Sequence, residues 1–256
     1  MNLDGFVAFA ERLADEAATM LAARAHAAAK TKPDKSFVTE TDLAIEKRLR
    51  DMIAAAYPDH GVLGEEFDSV TPDADHVWIL DPIDGTAAYV VGMPVYGTLI
   101  SLAHRGRPVL GVIHFPATSE RWVGARGRAT TLNGRPCQTR KGEALHDAIV
   151  SASNPDFFDV AAKRPLAALS ACTAWRVYGG AALSYGRLAQ GRTDLAIDAG
   201  LKIHDYAAFV PILEGAGGII TDWNGDALTI ASGPRVLAAG DRRRHAAALR
   251  IVQEAL

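Results

Sequence analysis

The chain has 256 residues, 49% of them hydrophobic and 22% charged, with a formal net charge of -3. That length and apolar content can bury a large core, and the composition excludes a disordered chain. The slight acidity gives no basic footprint for nucleic acid. Cys137 and Cys172 form neither a CxxC pair nor a zinc spacing, so they read as reduced thiols of a cytoplasmic protein. No apolar run approaches the roughly 18 residues of a membrane span. The opening MNLDGFVAFAERLADEAA places acids where a signal peptide would be basic and apolar.

In chain order, residues 3–29 carry Phe6, Phe9, Leu13, Ala17, Met20 and Leu21 near a 3.6-residue period, which predicts a helix. KTKPDKS at 30–36 breaks it. Ile45, Leu49, Met52, Ile53 and Ala56 mark a second helix, capped by Thr39 or Thr41 and with Asp42 at its positive end. After a loop holding Gly64-Glu65-Glu66, the run Val77–Leu80 reads as a buried strand. Residues 98–124 read as antiparallel strands punctuated by Gly106, Pro108 and Pro116, and Asn133-Gly134 as a turn.

Beyond that the pattern alternates. Strands are predicted at 148–151, 174–178, 195–197, 218–221 and 236–239, with helices at 180–190, 206–216 and 242–255. This order predicts a layered α/β fold with mixed sheets. A boundary near residue 140 would divide an N-terminal part, 1–140, from a tightly packed C-terminal part, 141–256.

The densest chemistry is Asp81-Pro82-Ile83-Asp84-Gly85-Thr86, at the predicted end of the Val77–Leu80 strand. Proline fixes one φ angle between the two acids, so a turn there can aim both carboxylates and the Ile83 carbonyl at one point. Hard cations such as Mg²⁺ take oxygen ligands of that kind. If a helix starts at Gly85-Thr86, the same hexapeptide offers amides for a phosphate. Asp-Pro and Asp-Gly are also ordinary turn dipeptides. Glu65, Asp42 and Asp205, each alone, would be a solvated acid or a helix-end residue.

Together, Gly64-Glu65-Glu66, Trp78 through Thr86, Asp205-Tyr206-Ala207-Ala208 through Gly218, and the upstream Lys35 with Val38-Thr39-Glu40-Thr41-Asp42 resemble the inositol monophosphatase superfamily of lithium-sensitive, metal-dependent phosphatases. The resemblance covers nearly the whole chain and implies an α-β-α-β-α layered fold, a homodimer, and two or three Mg²⁺ ions, with Mn²⁺ as a substitute. It implies that Asp81 bridges two metals, that Glu65 and the Ile83 carbonyl complete the first site, and that Asp84 and Asp205 hold the second. Thr86 with Glu65 would orient the attacking water, Asp42 would hydrogen-bond Thr86, the Gly85 and Thr86 amides would bind phosphate, and Lys35 would be accessory. No covalent phosphoenzyme is expected, consistent with the lack of a GxSxG elbow or a Walker loop. His204, beside Asp205, reads as packing or substrate-lining.

Residues 98–136, 153–157 and 205–223 resemble the histidinol-phosphate phosphatase branch, which implies L-histidinol phosphate as substrate and a place in histidine biosynthesis. Two departures stand against that. Ala181 occupies a position where the branch usually has an acid, and Ala87-Ala88 follows Thr86 in place of a Lys-Ser pair. Asp84 and Asp198 are the candidate substrate-contacting acids, and Asp198 could supply the carboxylate that an amine wants. Inositol 1-phosphate is the alternative substrate. A non-catalytic regulatory protein on the same fold is the alternative of another class, disfavoured by the complete acidic set.

Overall fold

The computed structural model describes residues 2–23, 29–31, 37–142 and 144–256. Lys35 therefore lies outside the described residues. Helix α1 (Asp4–Ala23) buries Phe9, Leu13, Ala17 and Leu21 at helical spacing. The helix expected to reach residue 29 does not do so. Ala29 already begins β1 (Ala29–Thr31), which pairs with β2 (Phe37–Thr39) in a small antiparallel ribbon. Helix α2 (Glu40–Ala56) starts at a reciprocal cap. The Thr39 side chain accepts from the Thr41 and Asp42 amides, and Asp42 accepts from the Thr39 amide.

A seven-stranded sheet follows in the spatial order of the sequence: β3 (Gly61–Gly64), β4 (His76–Asp84), β5 (Gly97–His104), β6 (Arg107–Phe115), β7 (Glu120–Ala125), β8 (Thr131–Leu132) and β9 (Arg135–Pro136). Only β3 and β4 are parallel. A short helix α3 (Thr86–Val90) leaves β4. The central strands are buried along almost their whole length because both faces are covered. Trp78, Leu80, Ile100 and Leu102 pack with α1 and α2. Leu99, Ile113, Phe115 and Trp122 face the other way, into a second core.

The second sheet runs β11 (Trp175–Tyr178), β10 (Ile149–Ala152), β12 (Leu195–Asp198), β14 (Val236–Ala239) and β13 (Ile219–Thr221). Between the two sheets lie α5 (Leu183–Ala189), α6 (Ile203–Tyr206) and α7 (Phe209–Gly215), packed on Ala196, Val236 and Ala238. The outer face of the second sheet, with Val150, Leu195, Ile197 and Leu237, packs under α4 (Val160–Ala171) and α8 (Arg242–Glu254). The layers are thus α-β-α-β-α with mixed sheets. The middle core takes residues from both sides of residue 140.

Some elements differ from expectation. Helix α4 is absent from the sequence reading because Pro165 interrupts its pattern, yet Asp159 caps it through the Ala162 amide. The expected helix 206–216 is two pieces, α6 and α7. Cys137 is half-buried and Cys172 exposed, and both are free thiols. Among the described residues no helix is long and apolar enough to cross a membrane.

Candidate active site

β4 runs on past Leu80 into the hexapeptide. Its pairing with β5 shifts register between Asp81 and Asp84, so the DPID segment is an irregularity inside a buried strand. That break lets two carboxylates three residues apart turn toward one side. Asp205, from α6 in the layer between the sheets, meets them: one oxygen from each of Asp81, Asp84 and Asp205 lies within 4.8 Å of the others.

The electrostatics follow from that crowding. Burial, then the negative charges of Glu65, Asp84 and Asp205, hold the Asp81 carboxyl well above the ordinary range. Burial, together with Asp205 and Glu65 and against a backbone hydrogen bond from Ala182, pushes Asp84 up to about 8. Burial raises Asp205 as well, against His204 and the Lys202 amide. Asp81 is 1% exposed, and its Oδ1 is buried without a hydrogen-bond partner. An orphaned buried carboxylate oxygen facing other acids is costly unless a cation completes it. The donor set is all oxygen, which fits a hard divalent ion.

The remaining candidates fall around this cluster. Glu65, on the loop after β3, is near enough for its charge to act on Asp81, Asp84 and Asp42. Thr86 Oγ1 donates to the Ile83 carbonyl at 2.9 Å. The expected Asp42–Thr86 hydrogen bond is therefore not made. Asp42 instead accepts from the Thr39 amide at 2.8 Å and from the Thr39 hydroxyl at 2.5 Å, because it closes the cap of α2. Its other oxygen, Oδ1, is buried without a hydrogen-bond partner.

Gly85 has φ +78°, and a Cβ there would meet the Val95 carbonyl oxygen at 2.5 Å, so only glycine fits this turn. The nearest side-chain atom to that Cβ position is the Ala181 methyl, at 3.5 Å. The departure at residue 181 therefore lies beside the DPIDGT turn.

Asp198, the second candidate substrate-contacting acid, already has partners within the protein. It is fully buried at the end of β12. Oδ1 accepts from the Ser153 amide at 2.8 Å and hydroxyl at 2.5 Å, and Oδ2 from the Tyr185 hydroxyl at 2.9 Å. Burial, opposed by those donors, lifts it to about 6. Both oxygens thus have partners inside the protein, Oδ1 two and Oδ2 one. His204 is buried, with Nε2 3.8 Å from Asp205.

Residues 2–256 match the inositol monophosphatase family. The chain belongs to that family. A chloroplastic bifunctional phosphatase of Arabidopsis thaliana, IMPL2, is 38% identical over 261 residues, covering 97% of this chain and 75% of that protein. A histidinol-phosphatase of Chlorobaculum parvum is 35% identical over 202 residues, covering 76% of each. The structure of an inositol monophosphatase from Zymomonas mobilis superposes with a TM-score of 0.91 at 38% identity over 99% of both chains.

Within this inositol monophosphatase frame, four contributors are not marked by any motif. The Ala182 amide donates to Asp84 Oδ2 at 2.8 Å. Ser153 and Tyr185 hold Asp198. Glu46, fully buried in α2, accepts hydrogen bonds from the loop that carries Glu65. Glu46 had a signal: it lies four residues after Asp42 on the apolar stripe of Ile45, Leu49 and Ile53, where a solvated acid would not sit.

Proposed function

We propose that this protein is a Mg²⁺-dependent phosphomonoesterase acting on a small phosphorylated metabolite. The observation that carries the reading is the convergence of Asp81, Asp84 and Asp205, together with a buried oxygen of Asp81 that has no hydrogen-bond partner. Asp81, Asp84, Asp205, Glu65 and the Ile83 carbonyl would hold two or three Mg²⁺ ions, or Mn²⁺ in their place. Such ions supply Lewis-acid stabilisation of phosphoryl charge and lower the pKa of a water by several units.

The chain's own groups do the rest. The Gly85 and Thr86 amides, at the exit of β4, are offered to phosphate oxygens in a turn that excludes any Cβ at 85. The Thr86 hydroxyl, anchored on the Ile83 carbonyl, orients the attacking water together with Glu65. Asp84 is held for its task by the Ala182 amide. Asp42 acts by shaping the start of α2 and by its charge near Glu65, rather than by holding Thr86.

For the substrate we favour L-histidinol phosphate, on the matches at residues 98–136, 153–157 and 205–223 and on the similarity to a histidinol-phosphatase. A second reading, inositol 1-phosphate, is favoured by two observations. Ala181 brings a methyl, not a carboxylate, to the site, and the Asp198 oxygens are already bonded. A buried ammonium lacking its carboxylate loses about 2–5 kcal/mol. Phosphate release from both esters under identical Mg²⁺ decides. A higher kcat/KM for histidinol phosphate is expected, and a higher value for inositol 1-phosphate overturns the preference. No turnover of either, or of an aryl phosphate, overturns the phosphatase reading.

A homodimer belongs to the same proposal. It is supported by the edge strand β11, whose Trp175, Val177 and Tyr178 are exposed. A monomeric mass at micromolar concentration contradicts it.

A further inference from the structure

We propose that Glu46 is a positioning residue for Glu65: a buried carboxylate in α2 that grips the backbone of the loop after β3 and so sets where the Glu65 side chain stands beside Asp81. This rests on the metal-assisted reading given above for the Asp81 cluster.

Glu46 has no exposed surface. A carboxylate withdrawn from water costs several kcal/mol unless donors replace its hydration. The donors here come from one place. Oε2 accepts from the Glu66 amide at 2.8 Å, and Oε1 accepts from the Phe67 amide at 3.3 Å. The counter-charge is Arg50, one helical turn on, whose Nε donates to Glu46 Oε1 at 2.8 Å. The rest of the Arg50 guanidinium reaches the same loop, with Nη2 on the Phe67 carbonyl at 3.0 Å and Nη1 on the Asp68 carbonyl at 3.1 Å. The pair therefore holds amides 66 and 67 and carbonyls 67 and 68 against a rigid helix.

The residue just before this gripped segment is Glu65, near enough to Asp81 that, after burial, its charge helps to hold the Asp81 carboxyl up. Gly64, just before that, makes the grip possible, because a Cβ at 64 would collide with the Glu46 carboxylate. Gly64 and Glu66 thus bracket Glu65, one by close contact with Glu46 and the other by a hydrogen bond to it. Glu46 itself is not a metal ligand in this arrangement, since its oxygens are committed to the loop amides and Arg50. A loop glutamate held only by its own turn would sample many positions. Held from both sides, it is restricted to the neighbourhood of Asp81, and the entropy of ordering it is met during folding rather than on cation binding.

The test compares Glu46→Gln, Glu46→Ala and Gly64→Ala with wild type. Mn²⁺ affinity is read by calorimetry, folding by thermal melts, and kcat and KM with an aryl phosphate. Gln keeps one acceptor but turns an NH2 toward a loop N–H, so it should fall between wild type and Ala. The expected loss in Mn²⁺ affinity is roughly 10- to 100-fold for Glu46→Ala, as for other residues that orient a ligand. Gly64→Ala, which leaves every charge in place, should give the same signature: weaker Mn²⁺ binding and lower kcat with little change in KM. Combining Glu46→Gln with Glu65→Gln should add little to Glu65→Gln alone, because the two act through one position.

Folded Glu46→Gln and Gly64→Ala proteins with wild-type Mn²⁺ affinity and kcat, changed only in melting temperature, would overturn the proposal. So would full additivity with Glu65→Gln. If wild type binds Mn²⁺ but hydrolyses no ester, the phosphatase reading fails while the affinity comparison still decides the role of Glu46.

Discussion

Asp84 and Ala182 lie 98 residues apart in sequence, yet the Ala182 amide donates to Asp84 Oδ2 at 2.8 Å. One half of the chain thereby orients a carboxylate of the other, which is a physical reason for the two halves to work as one unit. The connection is made by a strained residue: Ala181, immediately before, has φ +45°, a region that costs a non-glycine residue roughly 1–2 kcal/mol.

Relief of that strain is measurable. Ala181→Gly should raise the unfolding free energy by about 0.5–1 kcal/mol, the strain removed less the extra freedom glycine has when unfolded. Ala181→Asp should be tolerated, since aspartate visits the left-handed region, and should shift kcat/KM toward histidinol phosphate. Chemical denaturation checks the first. A destabilised Ala181→Gly protein would contradict the strain assignment.

The carboxylate cluster also sets a metal dependence of stability. Without cations, the crowding of Asp81, Asp84 and Asp205 in a partly buried cluster opposes their ionisation. A ligand at about 100 times its Kd adds about 2.7 kcal/mol to stability. Melting temperature should therefore rise with Mg²⁺ or Mn²⁺, fall on chelation, and respond much less in Asp205→Asn. Lithium in the millimolar range should inhibit, and activity indifferent to it would count against the Asp84–Asp205 site. An equal cation-induced shift in wild type and Asp205→Asn would place the cations elsewhere.

At the far end of β4 a different group titrates. His60 Nδ1 accepts from the indole N–H of fully buried Trp78 at 3.1 Å, and its ring stacks on Tyr57 and His76. Burial, with His76 next, lowers the His60 pKa below its ordinary value. The unfolded chain then takes up the proton more readily. This contribution is complete above about pH 6.5 and is lost as pH falls through the lowered folded value. Metal-saturated protein should melt lower at about pH 5.5 than at about pH 7.5. His60→Asn, which keeps an acceptor for Trp78 without titrating, should reduce the difference, the remainder coming from His76, His114 and His245, whose pKa values burial also lowers. An unchanged slope would assign the effect to other groups.

Much of this architecture was legible in the chain. Periodicity located α1, α2, α8 and the buried strands, because each has one face or both committed to a core. The DPIDGT hexapeptide marked the candidate site because it sets two acids and a backbone carbonyl around a proline at the end of an apolar run. What escaped depends on distant partners. Helix α4 was hidden by Pro165. Asp42 was expected to hydrogen-bond Thr86 and Asp198 to contact substrate, whereas the Thr39 cap takes one Asp42 oxygen and Ser153 and Tyr185 donate to Asp198. No spacing rule reveals which of several donors wins a carboxylate once the chain is packed. Glu46 was visible only as an acid on an apolar stripe, and its loop partners are known from the fold.

The most direct measurement is phosphate release by Asp81→Asn against wild type across a Mg²⁺ titration. Asparagine keeps the shape of Asp81 and removes the charge from the middle of the cluster. The expected result is a folded protein whose kcat is lower by several orders of magnitude at every Mg²⁺ concentration. Near wild-type turnover of Asp81→Asn at saturating Mg²⁺ would contradict the assignment of the acidic cluster as the catalytic metal centre.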